Sequence, residues 1–273
     1  MSARLLVALA AAGLTLSAQA HRTWLLPSAT LVDGANPVVS VDAAVSEDLF
    51  EFDTTALELD ELVVTAPDGS VSKAEARTAS RRRTSFDVRL GQKGGYRIAG
   101  VSDTAMASWK AGGETRRWRG APAALAKEVP ADAPDLQVTR MLNRVETFVS
   151  DEQAGPVAPA VAGLGIELQP LDAPTDLSAG DTTRFRLLLD GKPWGNADVT
   201  VIRGGNRYRY KMGEIALKTD ADGGFAVTWP ESGRWWLGAS HGGRRPGAEP
   251  PRGTPAAPAR REGYSATFEV LPR

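Results

Sequence analysis

The chain carries two histidines, His21 and His241, and no cysteine. Metal coordination through nitrogen is the sharpest chemistry its side chains offer, while thiolate metal sites and cysteine nucleophiles are excluded. His21 follows a segment with a secretory pattern. Arg4 gives a positive start, Leu5 to Leu16 an apolar stretch, and Ala18-Gln19-Ala20 an A-x-A cleavage site. Cleavage after Ala20 leaves His21 with a free α-amine beside its own imidazole. Such an amine ordinarily ionises at about 7.7, so a metal ion displaces its proton at neutral pH with modest cost. The amine and one ring nitrogen form a chelate, and the imidazole of His241 would add a third nitrogen in a T-shape. Nitrogen ligation of this kind suits Cu(II) or Ni(II).

Other chemistries are weaker. Glu47, Asp48, Glu51 and Asp53 could add oxygen ligands, but so dense an acidic segment reads first as a solvated loop. Asp220-Ala221-Asp222-Gly223 resembles the start of a calcium loop. It lacks the later Glu such a loop needs and reads as a hairpin turn. No G-x-S-x-G and no H-E-x-x-H occurs, so the chain reads as a non-enzyme. A copper ion with an open site, held as in the histidine brace of copper proteins, is the one catalytic alternative. Of the seven tryptophans, the adjacent Trp235 and Trp236 must point to opposite faces of a strand. One enters the core, and the other could join a surface platform for sugar or protein ligands.

The elements that must position these residues are mostly strands. Val38 to Ala43, Leu59 to Ala66, Thr84 to Leu90 and Tyr96 to Val101 are short apolar runs separated by turn residues. Phe86, Val88 and Leu90 fall on one face. Residues 105 to 165 interrupt this pattern: a basic stretch around Gly112-Gly113, a helical turn at Ala123 to Glu128, a long strand over Leu136 to Val149, and a small, apolar linker at Val157 to Gly165. A second set follows at Asp181 to Leu189, Ala197 to Arg203, Phe225 to Trp229, Arg234 to Ser240 and Tyr264 to Leu271. The Gly-, Pro- and Arg-rich stretch Gly242 to Ala259 reads as a loop. The expected fold is all-β, with two consecutive β-sandwich modules at residues 21–160 and 161–273 after a signal peptide at 1–20. The second module is expected to be immunoglobulin-like or transthyretin-like.

Composition sets outer limits. Removing residues 1–20 from 273 leaves 253, enough for one large or two modest cores. The net charge of −1 gives no attraction to nucleic acid or anionic lipid. Without cysteine an exported chain has neither disulfide nor lipid anchor. No apolar stretch after residue 20 approaches the roughly 20 residues that span a bilayer. A soluble periplasmic protein is the expectation.

His21-Arg22-Thr23-Trp24-Leu25-Leu26-Pro27 forms one recognisable stretch. A second comprises Gly191 to Val201, Lys218 to Phe225, and Gly233-Arg234-Trp235-Trp236-Leu237 with His241 just beyond. Together they resemble the exported bacterial family known as domain of unknown function 4198. Some of its members are described as periplasmic components of nickel or cobalt uptake. The resemblance implies an all-β exported protein with a histidine at its mature start. The leading expectation is a periplasmic protein that binds nickel, cobalt or copper through His21 and His241 and passes it to a membrane transporter. The alternatives are a metal-free carbohydrate- or protein-binding module and a copper oxidase.

Overall fold

In a computed structural model, residues 21–59, 61–159, 162–243 and 253–273 can be described. The expected signal peptide at 1–20 and residues 244–252 of the stretch expected as a loop lie outside them. The first half supplies β1 (Arg22–Pro27), β2 (Leu31–Val32), β3 (Val38–Ser46), β4 (Thr55–Ala56), β5 (Glu61–Thr65), β6 (Val71–Ser72), β7 (Glu75–Ala79), β8 (Thr84–Arg89), β9 (Gly94–Ala111), β10 (Glu114–Gly120) and β11 (Gln137–Asp151). The second half supplies β12 (Ile166–Pro170), β13 (Leu177–Ser178), β14 (Thr182–Leu189), β15 (Lys192–Pro193), β16 (Asp198–Arg203), β17 (Ile215–Lys218), β18 (Gly224–Thr228), β19 (Gly233–His241) and β20 (Ala259–Leu271). The only α-helix among the described residues is the short α1 (Leu125–Glu128).

Alternation drives the first core. Val39, Val41 and Ala43 of β3 face Phe86 and Val88 of β8, with Leu90 just beyond. Together with Val64, Ile98, Val145 and Val149 they seal the space between a five-stranded sheet and part of an eleven-stranded one. The second core lies between the other part of that long sheet and a four-stranded sheet of β12, β14, β15 and β18. It is built on Trp229, Phe268, Phe185, Leu187 and Leu237. The fold is an all-β sandwich, as the alternation predicts. The long sheet runs through both halves because β20 pairs in parallel with β11 from Thr139↔Ala259 to Thr147↔Thr267.

Residues 105 to 120 differ from the expectation. The strand that begins near Tyr96 continues to Ala111, turns through Gly112-Gly113 and returns as β10. Both glycines have positive φ, 59° and 82°, the conformation a two-residue hairpin loop demands. The helical turn expected near Ala123 to Glu128 is present as a 3₁₀ turn at Pro122–Ala124 leading into α1. It packs Leu125 against Ala107, Val138 and the partly buried Trp109 and Trp118.

β1 lies at the junction of the two halves. Leu25 enters the first core, while Trp24 points the other way into a small third cluster with Leu49, Ile202 and Trp236. Trp235 joins the second core and Trp236 the third. No surface platform forms from the pair, because β1 covers the ring that was to be exposed. Gly238 makes this possible: a Cβ there would sit 2.0 Å from the Trp236 indole, which lies flat across it.

Candidate functional site

The backbone after His21 is held firmly. Trp236 Nε1 and Ser265 Oγ both donate to the Thr23 carbonyl, at 3.0 and 2.9 Å. Trp24 Nε1 donates to Ser46 Oγ at 2.8 Å. Pairing of Arg22 with Ser46 then sets His21 beside Glu47, with Nε2 3.4 Å from Oε1 and both side chains more than half exposed.

Glu47 belongs to the acidic segment, and this segment is more ordered than a solvated loop. Asp53 accepts from the backbone N–H groups of Glu47 and Asp48, at 3.1 and 2.9 Å, and from the Thr54 hydroxyl. Burial opposes its charge, but these hydrogen bonds prevail and hold its carboxyl below the usual range. Asn206 bridges to the same segment, donating to Asp48 and accepting from Leu49 N–H. The neighbouring Arg22 reaches Met212 Sδ at 3.0 Å and Glu214 at 3.7 Å and lies over the Trp236 ring. Burial lowers its pKa, and Glu214 partly restores it.

His241 ends β19 opposite Glu262 of β20, and its Nδ1 lies 3.0 Å from Glu262 Oε2. Its ring meets Trp194 edge-on at 5.5 Å. Glu262 also pairs with Arg260, which makes a bidentate contact to Asp190 at 2.7 Å through each nitrogen. Arg260 holds the Asp190 carboxyl down to about 2.

The structure does not bring the two histidines together. His241 continues the inward row Trp235, Leu237 and Ala239, and its partner Glu262 lies on the same side of the sheet. β1 reaches this sheet through Ser265 and Trp236, whose side chains point to the opposite side. The sheet itself separates the two rings, so the T-shaped set of three nitrogens is not formed. Among the described residues no group of three or more His, Asp or Glu side chains is arranged to hold a metal ion. The Asp220 turn uses a carboxylate oxygen on its own backbone, accepting from Asp222 and Gly224 N–H.

Sequence reasoning missed a buried ionic network. Glu146, fully buried, accepts from Arg97 at 2.5 Å and from the Tyr264 hydroxyl at 2.7 Å. Arg144 links Glu146 to Glu167, at 3.4 and 3.6 Å. Burial pushes the Tyr264 hydroxyl well up, and the Glu146 charge adds to this. Arg97, Arg144 and Leu142 line an open cleft of about 1080 Å³ with Glu61, Val63, Ala99 and Val101. The signal was present in β11, where Arg140, Arg144 and Glu146 alternate with apolar residues on a strand otherwise fit for a core.

Residues 18–243 match the family described as domain of unknown function (DUF4198), over most of the chain and including His21, Glu47 and His241. This chain belongs to the DUF4198 family. No curated protein matches it. Among solved structures, this DUF4198 protein is similar to the D0-D1 domain of intimin at 12% identity and TM-score 0.21. That match covers 90% of this chain and 97% of the other. A DUF4785 family protein from Legionella pneumophila is similar at 10% identity and TM-score 0.24, covering 79% and 50%. The α-2-macroglobulin of Escherichia coli is similar at 14% identity and TM-score 0.23, covering 91% of this chain and 16% of that one.

Proposed function

We propose that this DUF4198 protein is an exported, non-catalytic carrier of a transition metal ion (nickel, cobalt or copper), which it takes up at His21 and passes to a membrane transporter. The observation that carries this reading is the contact between His21 Nε2 and Glu47 at the locked start of β1. Glu47 lies on the Nε2 side of the ring and leaves the Nδ1 side to the residue's own backbone. Nδ1 is the ring nitrogen that closes a six-membered chelate with the residue's own amine. Glu47 thus sits where it does not obstruct an amino-terminal chelate. Arg22, Thr23 and Trp24 fix the backbone while both donors stay at the surface.

The reading rests on cleavage after Ala20, which is part of the proposal. His241 takes no part in it, because the sheet stands between the two rings. The loss of that second imidazole removes the support for a brace-type copper oxidase.

Titration calorimetry with Ni(II) and Cu(II) tests the proposal, on processed protein whose first residue is established by mass spectrometry. One-to-one binding is expected. Acetylation of the His21 amine should abolish it, and His241→Ala should leave it unchanged. Failure of correctly processed protein to bind either ion overturns the reading.

A further inference from the structure

The cleft on the first half of the long sheet has the character of a second, separate binding site. Its floor is one face of β5, β9 and β11. Glu61, Val63 and Thr65 project from β5, Arg97, Ala99 and Val101 from β9, and Leu142 and Arg144 from β11. Gly69 and Val71 form one lip, and Pro159, Ala162 and Leu164 another. The volume of about 1080 Å³ is far more than one amino acid fills and is of the size that holds small organic ligands.

Its lining carries three acidic side chains, Glu58, Glu61 and Asp103, and three arginines, Arg97, Arg119 and Arg144. Glu61 and Arg144 are both registered on Val101, one on each side, so their backbones stand about 10 Å apart across a single small residue. They do not neutralise one another. Arg144 is drawn down to Glu146 and Glu167, while Glu61 remains exposed on the β5 side. Further along the floor, Arg97 is almost wholly buried. One of its nitrogens bonds Glu146 and another the Ala158 carbonyl, but Nη2 has no hydrogen-bond partner. A buried guanidinium nitrogen without an acceptor is costly, and it leaves the positive charge of Arg97 only partly compensated beneath the floor. Val63, Ala99, Val101 and Leu142 give an apolar floor between the acidic side and the two arginines.

We infer that this cleft binds a short peptide with free termini, its ammonium group toward Glu61 and its carboxylate toward the arginine side of the floor at Arg97 and Arg144. Arg97 and Arg144 are already balanced by the buried Glu146 and Glu167, and the lining as a whole carries as many acidic as basic side chains. A ligand of no net charge with separated ends therefore fits the site better than a simple anion. This inference does not depend on metal binding at His21.

The test is calorimetry of the processed protein with tri-L-alanine, N-acetyl-tri-L-alanine and tri-L-alanine amide. The free peptide should bind, and blocking either end should weaken it about tenfold, the scale of one lost charge contact. Glu61→Gln, at an exposed position, should weaken the free peptide and leave the acetylated one unchanged. Arg97→Lys, with its fold checked by circular dichroism, should remove the preference for a free carboxylate. Absence of binding at millimolar peptide, equal binding of free and blocked peptides, or binding of maltotriose in place of peptide overturns the proposal. Normal metal binding by Glu61→Gln shows that the two sites are separate.

Discussion

One face of the long sheet is treated in two ways. In the second half, Trp235, Leu237 and Ala239 of β19 and Ala266 and Phe268 of β20 are covered by the four-stranded sheet and lie in a dry core. In the first half the same face carries Arg97, Arg144 and Glu61, and no sheet of the described residues covers it. The boundary falls at one registered pair. Arg97 stands opposite Phe148, with its guanidinium over the phenyl ring at 5.1 Å. Phe148 stacks on Phe268 and belongs to the core, and Arg97 begins the cleft. A single sheet can therefore supply both a covered core face and the floor of an open cleft. Which one it supplies depends on whether later strands return to cover it.

The largest expected effect lies under the cover. Trp229 is fully buried, meets Trp235 edge-on and Phe268 at a tilt, and donates to Thr183 Oγ1 at 2.8 Å. Trp229→Ala should cost about 3–5 kcal/mol in chemical denaturation. A cost near zero would mean that the second half is not sealed. Next comes the ionic network at the boundary. Glu146→Leu strands the Arg97 charge and should cost about 3 kcal/mol, whereas Arg97→Met with Glu146→Leu should recover most of that loss. If the double variant is no better than the single one, the network is not an independent unit. The smallest effect is at the exposed rim, where Arg260 holds Asp190 at about 2 against an ordinary 3.8. A carboxyl with a lowered folded pKa stabilises the fold above its ordinary value, and the gain is lost as pH falls from 3.8 towards 2. Asp190→Asn should flatten that acid limb of the stability curve by less than about 1 kcal/mol, and salt should shrink the effect further.

Much of this architecture is legible in the sequence. The alternation of Phe86, Val88 and Leu90, and of Phe185 and Leu187, marks the inner faces of two sandwiches. The second core also takes in Phe148, ahead of the stretch expected as a linker, and packs against Val157, the first residue of that stretch. Alternation shows which residues share a face, but not what covers it. Arg97 and Arg144 could thus be placed on strands without revealing a cleft. The hairpin of β9 and β10 was hidden because Gly112-Gly113 reads equally as a break. The separation of His21 from His241 was half visible. Trp235, Leu237 and Ala239 give His241 the inward parity, but only the docking of β1 on the other side shows that the rings cannot meet.

The parallel pairing of β11 with β20 has a consequence for the order of events in folding. β20 lies between β11 and β19, so the last strand of the chain is the middle of its largest sheet. Until it arrives, β11 presents an open edge from Thr139 to Thr147, a template for pairing with other chains. Such distant partners make for slow folding. A fragment ending near residue 160 would keep its own core and lack its neighbour strand, and so would be prone to aggregate.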